Sequence, residues 1–121
     1  MGKRHLKTLF FIFFIMTAIA VSASVSVWAG DPEAGRLYFF GQRLFANSGP
    51  PCGKCHSVQG AGAGSAPELA MFCSDPANCG LIEAGWLNNN KDPKMEKSYS
   101  GNPITNDEAL HLRAFLEKEG K

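Results

Sequence analysis

Residues 52–56 read Cys-Gly-Lys-Cys-His, and the chemistry assigned to this stretch decides how the rest of the chain is read. Two thiols three residues apart reach the two vinyl groups along one edge of a porphyrin. The imidazole that follows at once then faces the iron, so Cys-x-x-Cys-His is an attachment signature for haem c. Two other chemistries use such cysteines. A Cys-x-x-Cys pair serves dithiol exchange, and Cys52, Cys55, Cys73 and Cys79 together would make a four-thiolate zinc site. The immediate His56, the marks of export upstream and a methionine downstream favour haem.

Upstream, Lys3, Arg4 and Lys7 form a positive start, and no charge occurs from Thr8 to Trp28. Val27-Trp28-Ala29 places small residues at the −3 and −1 positions of a cleavage site. This pattern predicts a secretory signal peptide over residues 1–29. The uncharged run is also long enough to cross a bilayer as an uncleaved anchor. Either way the domain is residues 30–121 and the expected location is the periplasm.

The charge balance of the domain excludes one class of partner. Twelve Lys and Arg face eleven Asp and Glu in the whole chain. Three of the basic groups and none of the acidic ones lie in residues 1–29, which leaves nine against eleven, near −2. A nucleic-acid partner calls for a basic stripe. The expected partners are redox proteins or an oxidoreductase complex, with a membrane involved only if the N-terminal segment is retained. So short a domain buries a limited core and calls for a disulfide, a metal or a large cofactor.

Helix signals punctuate the rest. Asp31-Pro32 is a capping residue followed by a proline suited to the first helical position. Leu37, Gly41, Leu44 and Phe45 then share one helical face, and Asn47 to Pro51 stops it. Residues 60–66 are rich in Gly and Ala and must lie against something else. Glu68 to Phe72 reads as a helical turn. Asp75-Pro76 opens another helix, with Leu81, Ile82 and Trp86 as its buried positions. Asn88 to Gly101 reads as polar loop. Thr105 and Glu108 form a capping box, and Ala109, Leu112, Phe115 and Leu116 line one face of the final helix. No run of strand alternation occurs.

Met95 is the expected second iron ligand, because it is the one large apolar side chain in a polar loop and Met/His ligation is a common pairing. Met71 competes, although wall packing explains it as well. His111 is expected at the surface. A haem-ligating imidazole needs its far N–H held by an acceptor, and a backbone carbonyl near Pro67 is placed to supply it. Pro67 also reads as a simple turn residue. Trp86 reads as core or as a partner for a propionate. Cys73 and Cys79, in an exported chain, are expected to bridge, adding about 2 kcal/mol for so small a ring.

Taken together, these pieces resemble the class I, mono-haem cytochrome c family over about Gly35 to Leu116. The similarity rests on Gly35 with Tyr38 or Phe39, Cys52 to His56, Gly64-Ser-Ala-Pro67-Glu-Leu69, Trp86, Asp-Pro-Lys-Met95 and Leu112-Arg-Ala-Phe115-Leu116. The longer gap before Cys52 and the Cys73–Cys79 pair depart from the family pattern. The resemblance implies an all-α, small cytochrome c fold of three to four helices wrapped around one covalently bound haem. The N- and C-terminal helices would cross, Gly35 or Gly41 against Phe115. It implies haem thioethers at Cys52 and Cys55, axial ligands His56 and Met95, and Pro67, Leu69 and Trp86 in the haem pocket. The implied function is single-electron transfer between redox partners, not enzymatic catalysis. Two alternatives remain. One is a haem subunit held in a larger oxidoreductase, hinted at by Tyr38, Phe39 and Phe40 in a row. The other is an open-site sensor or peroxidase-like enzyme, which requires Met95 not to bind.

Overall fold

The computed structural model describes residues 29–121. The signal peptide or anchor expected over residues 1–29 lies, but for its last residue, outside them. Among the described residues no helix is long and apolar enough to cross a membrane.

Helices carry the architecture. They are α1 (Pro32–Phe39), α2 (Leu69–Cys73), α3 (Pro76–Cys79), α4 (Ala84–Asn88), α5 (Pro93–Tyr99) and α6 (Asn106–Glu119). A 3-10 turn covers Cys52–Lys54, and two short antiparallel strands, β1 (Ser57–Val58) and β2 (Ala61–Gly62), form a hairpin. The expectation of three to four helices is therefore corrected to six among the described residues. The extra ones are short, of four to seven residues each.

One dipeptide opens three of the helices. Asp31, Asp75 and Asp92 each precede a proline at the first helical position, and each carboxylate accepts backbone N–H groups of the first turn. Proline lacks the N–H that a helix start leaves unpaired, and aspartate satisfies the next ones. The third instance overturns the polar loop expected for Asn88 to Gly101: Met95 lies on α5.

α1 is also shorter than its apolar spacing implies. Gly41 takes φ +73, and the N–H groups of Gln42 and Arg43 both turn back to the Leu37 carbonyl. A left-handed glycine there closes the helix. Leu44 consequently points to solvent at 78% exposure, while Phe45 re-enters the core from the loop. Likewise the helix opened at Asp75-Pro76 ends at Cys79, so Leu81 is exposed and Ile82 is buried. Trp86 stands on the separate helix α4, half-buried.

The principal packing is α1 across α6, with α2, α3 and α4 also against α6. The crossing has no room for a side chain at Gly35. A Cβ there would lie 1.9 Å from the His111 carbonyl oxygen and 2.7 Å from the Phe115 Cβ. Of the two glycines considered, Gly35 is thus the one that meets Phe115. Phe39 and Phe115 meet beside it with ring centroids 5.6 Å apart. Tyr38 stacks on Phe45 and Phe40 lies edge-on to Phe39, so the aromatic row is used largely by the core itself. His111 is partly exposed, and its Nδ1 accepts the Asp31 N–H at 2.8 Å and ties the start of α1 to α6.

α6 begins with the expected capping box, in which Glu108 accepts the Thr105 N–H and Thr105 accepts the Glu108 N–H. Glu108 is buried, and its other oxygen accepts the Ala46 N–H at 2.6 Å, fastening the loop after α1. Cys73 and Cys79 are joined in a disulfide with Cα atoms 4.3 Å apart. Helices of five and four residues do not hold themselves, and this bond secures α2 to α3.

Gly35→Ala is expected to destabilise the domain by about 3 kcal/mol, the upper part of the overpacking range. Gly64→Ala, where an added Cβ meets nothing within 4 Å, should be near neutral. Urea unfolding followed by circular dichroism checks the contrast.

Candidate functional site

The two free cysteines sit on the turn that follows the α1 loop. Cys55 and His56 both direct their N–H groups to the Cys52 carbonyl, which winds the motif into a tight turn. Cys52 is half-buried against the core and Cys55 is exposed. The Gly/Ala-rich stretch lies back on this turn, as its composition requires. The Ala63 N–H reaches the Gly53 carbonyl and the Ala66 N–H the Cys55 carbonyl, both at 3.0 Å. At Gly62, with φ +98, a Cβ would meet the His56 carbonyl oxygen at 2.6 Å. Glycine is needed where backbones approach so closely.

His56 is held through one ring nitrogen. Its Nδ1 lies 2.7 Å from the Pro67 carbonyl oxygen. A carbonyl only accepts, so Nδ1 carries the proton and Nε2 of the neutral ring keeps a free lone pair. This hydrogen bond fixes tautomer and ring orientation and strengthens the ring as a donor to a metal. The acceptor is the Pro67 carbonyl itself, so Pro67 does more than turn the chain.

α5 brings the other candidates near. Met95 and Tyr99 are one turn apart on the same helix face. Tyr99 is buried, its hydroxyl donates to the Pro50 carbonyl at 2.9 Å, and Cys52 Sγ is 3.9 Å from that hydroxyl. Met95 is half-buried against the core, whereas Met71 is 78% exposed. Of the two methionines, Met95 is the one whose helix face reaches the Cys52 side of the fold. The sequence reading gives Tyr99 no role. Its spacing of four from Met95 is the signal, and a loop reading of residues 88–101 hides it.

Leu69 on α2 and Trp86 on α4 are half-buried against the core, as is Phe72, which stacks on Trp86 with centroids 6.0 Å apart. Together with Cys52 and Met95 these are partly exposed apolar side chains bordering the core.

The thiols themselves speak against the competing chemistries. Cys73 and Cys79 are bonded to each other and offer no thiolates to zinc. Among the described residues no group of three or more His, Cys, Asp or Glu side chains is placed to hold a metal ion. Burial pushes the Cys52 thiol up to about 11, with the Tyr99 hydrogen bond opposing it only in part. Burial likewise raises the Tyr99 hydroxyl far above the ordinary phenol range. A lowered thiol pKa favours dithiol exchange, and burial shifts the Cys52 thiol the other way. Two unpaired thiols, an imidazole with one nitrogen committed to a carbonyl and a half-buried thioether are the groups present, and they are of the kind a covalent haem would use.

Comparison with protein-family models, curated proteins and solved structures gave no match at any level that identifies a relative.

In the protein without haem, iodoacetamide at pH 8 should alkylate Cys55 at least about tenfold faster than Cys52, because a raised pKa leaves little thiolate to react. Peptide mapping after timed quenching reads the ratio. The same shift has a stability consequence. Cys52 stays protonated in the folded state up to about 11 against an ordinary value of 9.0. Its contribution is therefore complete below pH 9 and is lost as the pH rises towards 11.

Proposed function

We propose that this chain is an exported electron carrier that holds one haem covalently and passes single electrons between redox partners. The observation that carries the proposal is the His56 Nδ1–H bond to the Pro67 carbonyl at 2.7 Å within Cys-x-x-Cys-His. A surface histidine in a loop has no need of a fixed tautomer, but an axial ligand does.

Cys52 and Cys55 would tether the haem through thioethers. His56, through Nε2, and Met95, through Sδ, are the residues that would hold the iron. The haem supplies a one-electron couple between ferrous and ferric iron, and ligation by His and Met closes the metal to substrate. The chain's own part is positioning. Pro67 holds the imidazole, Asp92 caps the first turn of α5 through the Lys94 and Met95 N–H groups, and Leu69, Phe72 and Trp86, half-buried against the core, would exclude water from one border of the haem. Lys54, Lys91, Lys94 and Lys97 are exposed and would steer an acidic partner. This reading makes the protein a class I cytochrome c in the periplasm, not an enzyme.

A second reading, a haem subunit held within a larger oxidoreductase, draws on Met71 and Leu81. These exposed apolar residues flank the disulfide, at 78% and 44% exposure. An open-site sensor or peroxidase-like enzyme would need Met95 to leave the iron, and the half-buried position of Met95 favours ligation instead.

Protein matured in a host that attaches haem c should show the weak long-wavelength band of sulfur bonded to ferric iron. Met95→Ala should abolish it and Met71→Ala should retain it. Loss of the band in Met71→Ala alone, or its absence from the unaltered protein, would overturn the assignment.

A further inference from the structure

Glu68 makes contacts that a helix cap alone does not require. Its Oε2 accepts the Met71 N–H at 2.6 Å, the ordinary duty of a residue before a helix. Its Oε1 crosses to accept the Gln59 N–H at 2.5 Å. Gln59 is a non-glycine residue at φ +49, followed by Gly60 at φ +80, in the two-residue turn joining β1 to β2. Positive φ at both turn positions suits a tight hairpin, but a glutamine there persists only when its surroundings hold it. Its side-chain Nε2 is held as well, by the Glu119 carbonyl at 2.9 Å.

The position of these contacts gives them meaning. Gln59 is three residues after His56, and Glu68 directly follows Pro67. The chain therefore closes a ring through two hydrogen bonds, His56 to Pro67 and Gln59 to Glu68. From this geometry we infer that Glu68 is a positioning residue for His56. By pinning the segment that carries the Pro67 carbonyl to the turn beyond the motif, its carboxylate fixes the length and direction of the imidazole hydrogen bond. The inference rests on the proposed reading of His56 as the iron ligand.

Glu68→Asp separates the two duties. Aspartate still caps α2, as Asp92 caps α5 through its second and third N–H groups, and it keeps the charge. It is one methylene too short to reach Gln59 as well. In the variant, amide exchange at Gln59 should accelerate at least about tenfold, the loss of one charge-assisted hydrogen bond, while Met71 keeps its protection. In the haem-bearing variant the His56 ring N–H should exchange faster. The reduction potential should shift upward, because a looser Nδ1–H bond makes the ring a weaker donor to ferric iron. An unchanged potential with an unchanged ring-proton rate would overturn the inference. The unaltered protein gives a second measurement if the variant does not accumulate. There the Gln59 amide and the His56 ring proton should open together with one urea dependence, and separate dependences would overturn the inference equally. If the unaltered chain takes up no haem, the reading of the site fails. If it does, and Glu68→Asp moves nothing, the clamp alone fails.

Discussion

The hydrogen bond between His56 and the Pro67 carbonyl joins the two halves of the site. Everything on the motif side of it, from the tight Cys52 turn to the folded-back glycines, sets where the imidazole stands. Everything on the other side, from Glu68 through α2 to the disulfide, sets where the acceptor stands. A ring with one nitrogen committed to a carbonyl can present only the other to a metal. In the proposed reading, that single commitment would make the histidine of the motif a directed ligand.

The frame around it is economical in regular structure. Among the described residues only α1 and α6 reach two turns or more, and they are locked by the absence of a side chain at Gly35. The remaining helices are short and depend on tertiary ties. The Cys73–Cys79 bond joins α2 to α3, the buried carboxylate of Glu108 holds the loop after α1, and Tyr99 holds the chain entering Cys52. The half-buried apolar side chains of Leu69, Phe72, Trp86 and Met95 border the core without being closed over. In the proposed holoprotein the cofactor would complete the burial that so short a chain cannot reach alone.

Much of this was legible from residue chemistry, and the failures have physical causes. The capping box at Thr105 and Glu108 and the face of α6 follow from local rules that tertiary structure had no reason to override. The carbonyl for His56 and the bridge between Cys73 and Cys79 follow from what unpaired groups require. Apolar spacing overextends α1 because Gly41 satisfies the spacing while its backbone ends the helix. Polar composition hides α5, although Asp92-Pro93 repeats the Asp-Pro start legible at Asp31 and Asp75. His111, Glu108 and Glu68 serve two elements at once, and such long-range duties leave no periodic trace in a sequence.

The central claim is a covalent one, so mass tests it most directly. Protein produced in a host that matures c-type haem, denatured and measured intact, should weigh the mature polypeptide plus one haem, with Cys52 and Cys55 both inaccessible to alkylation. The bare polypeptide mass with both thiols reactive would contradict the account.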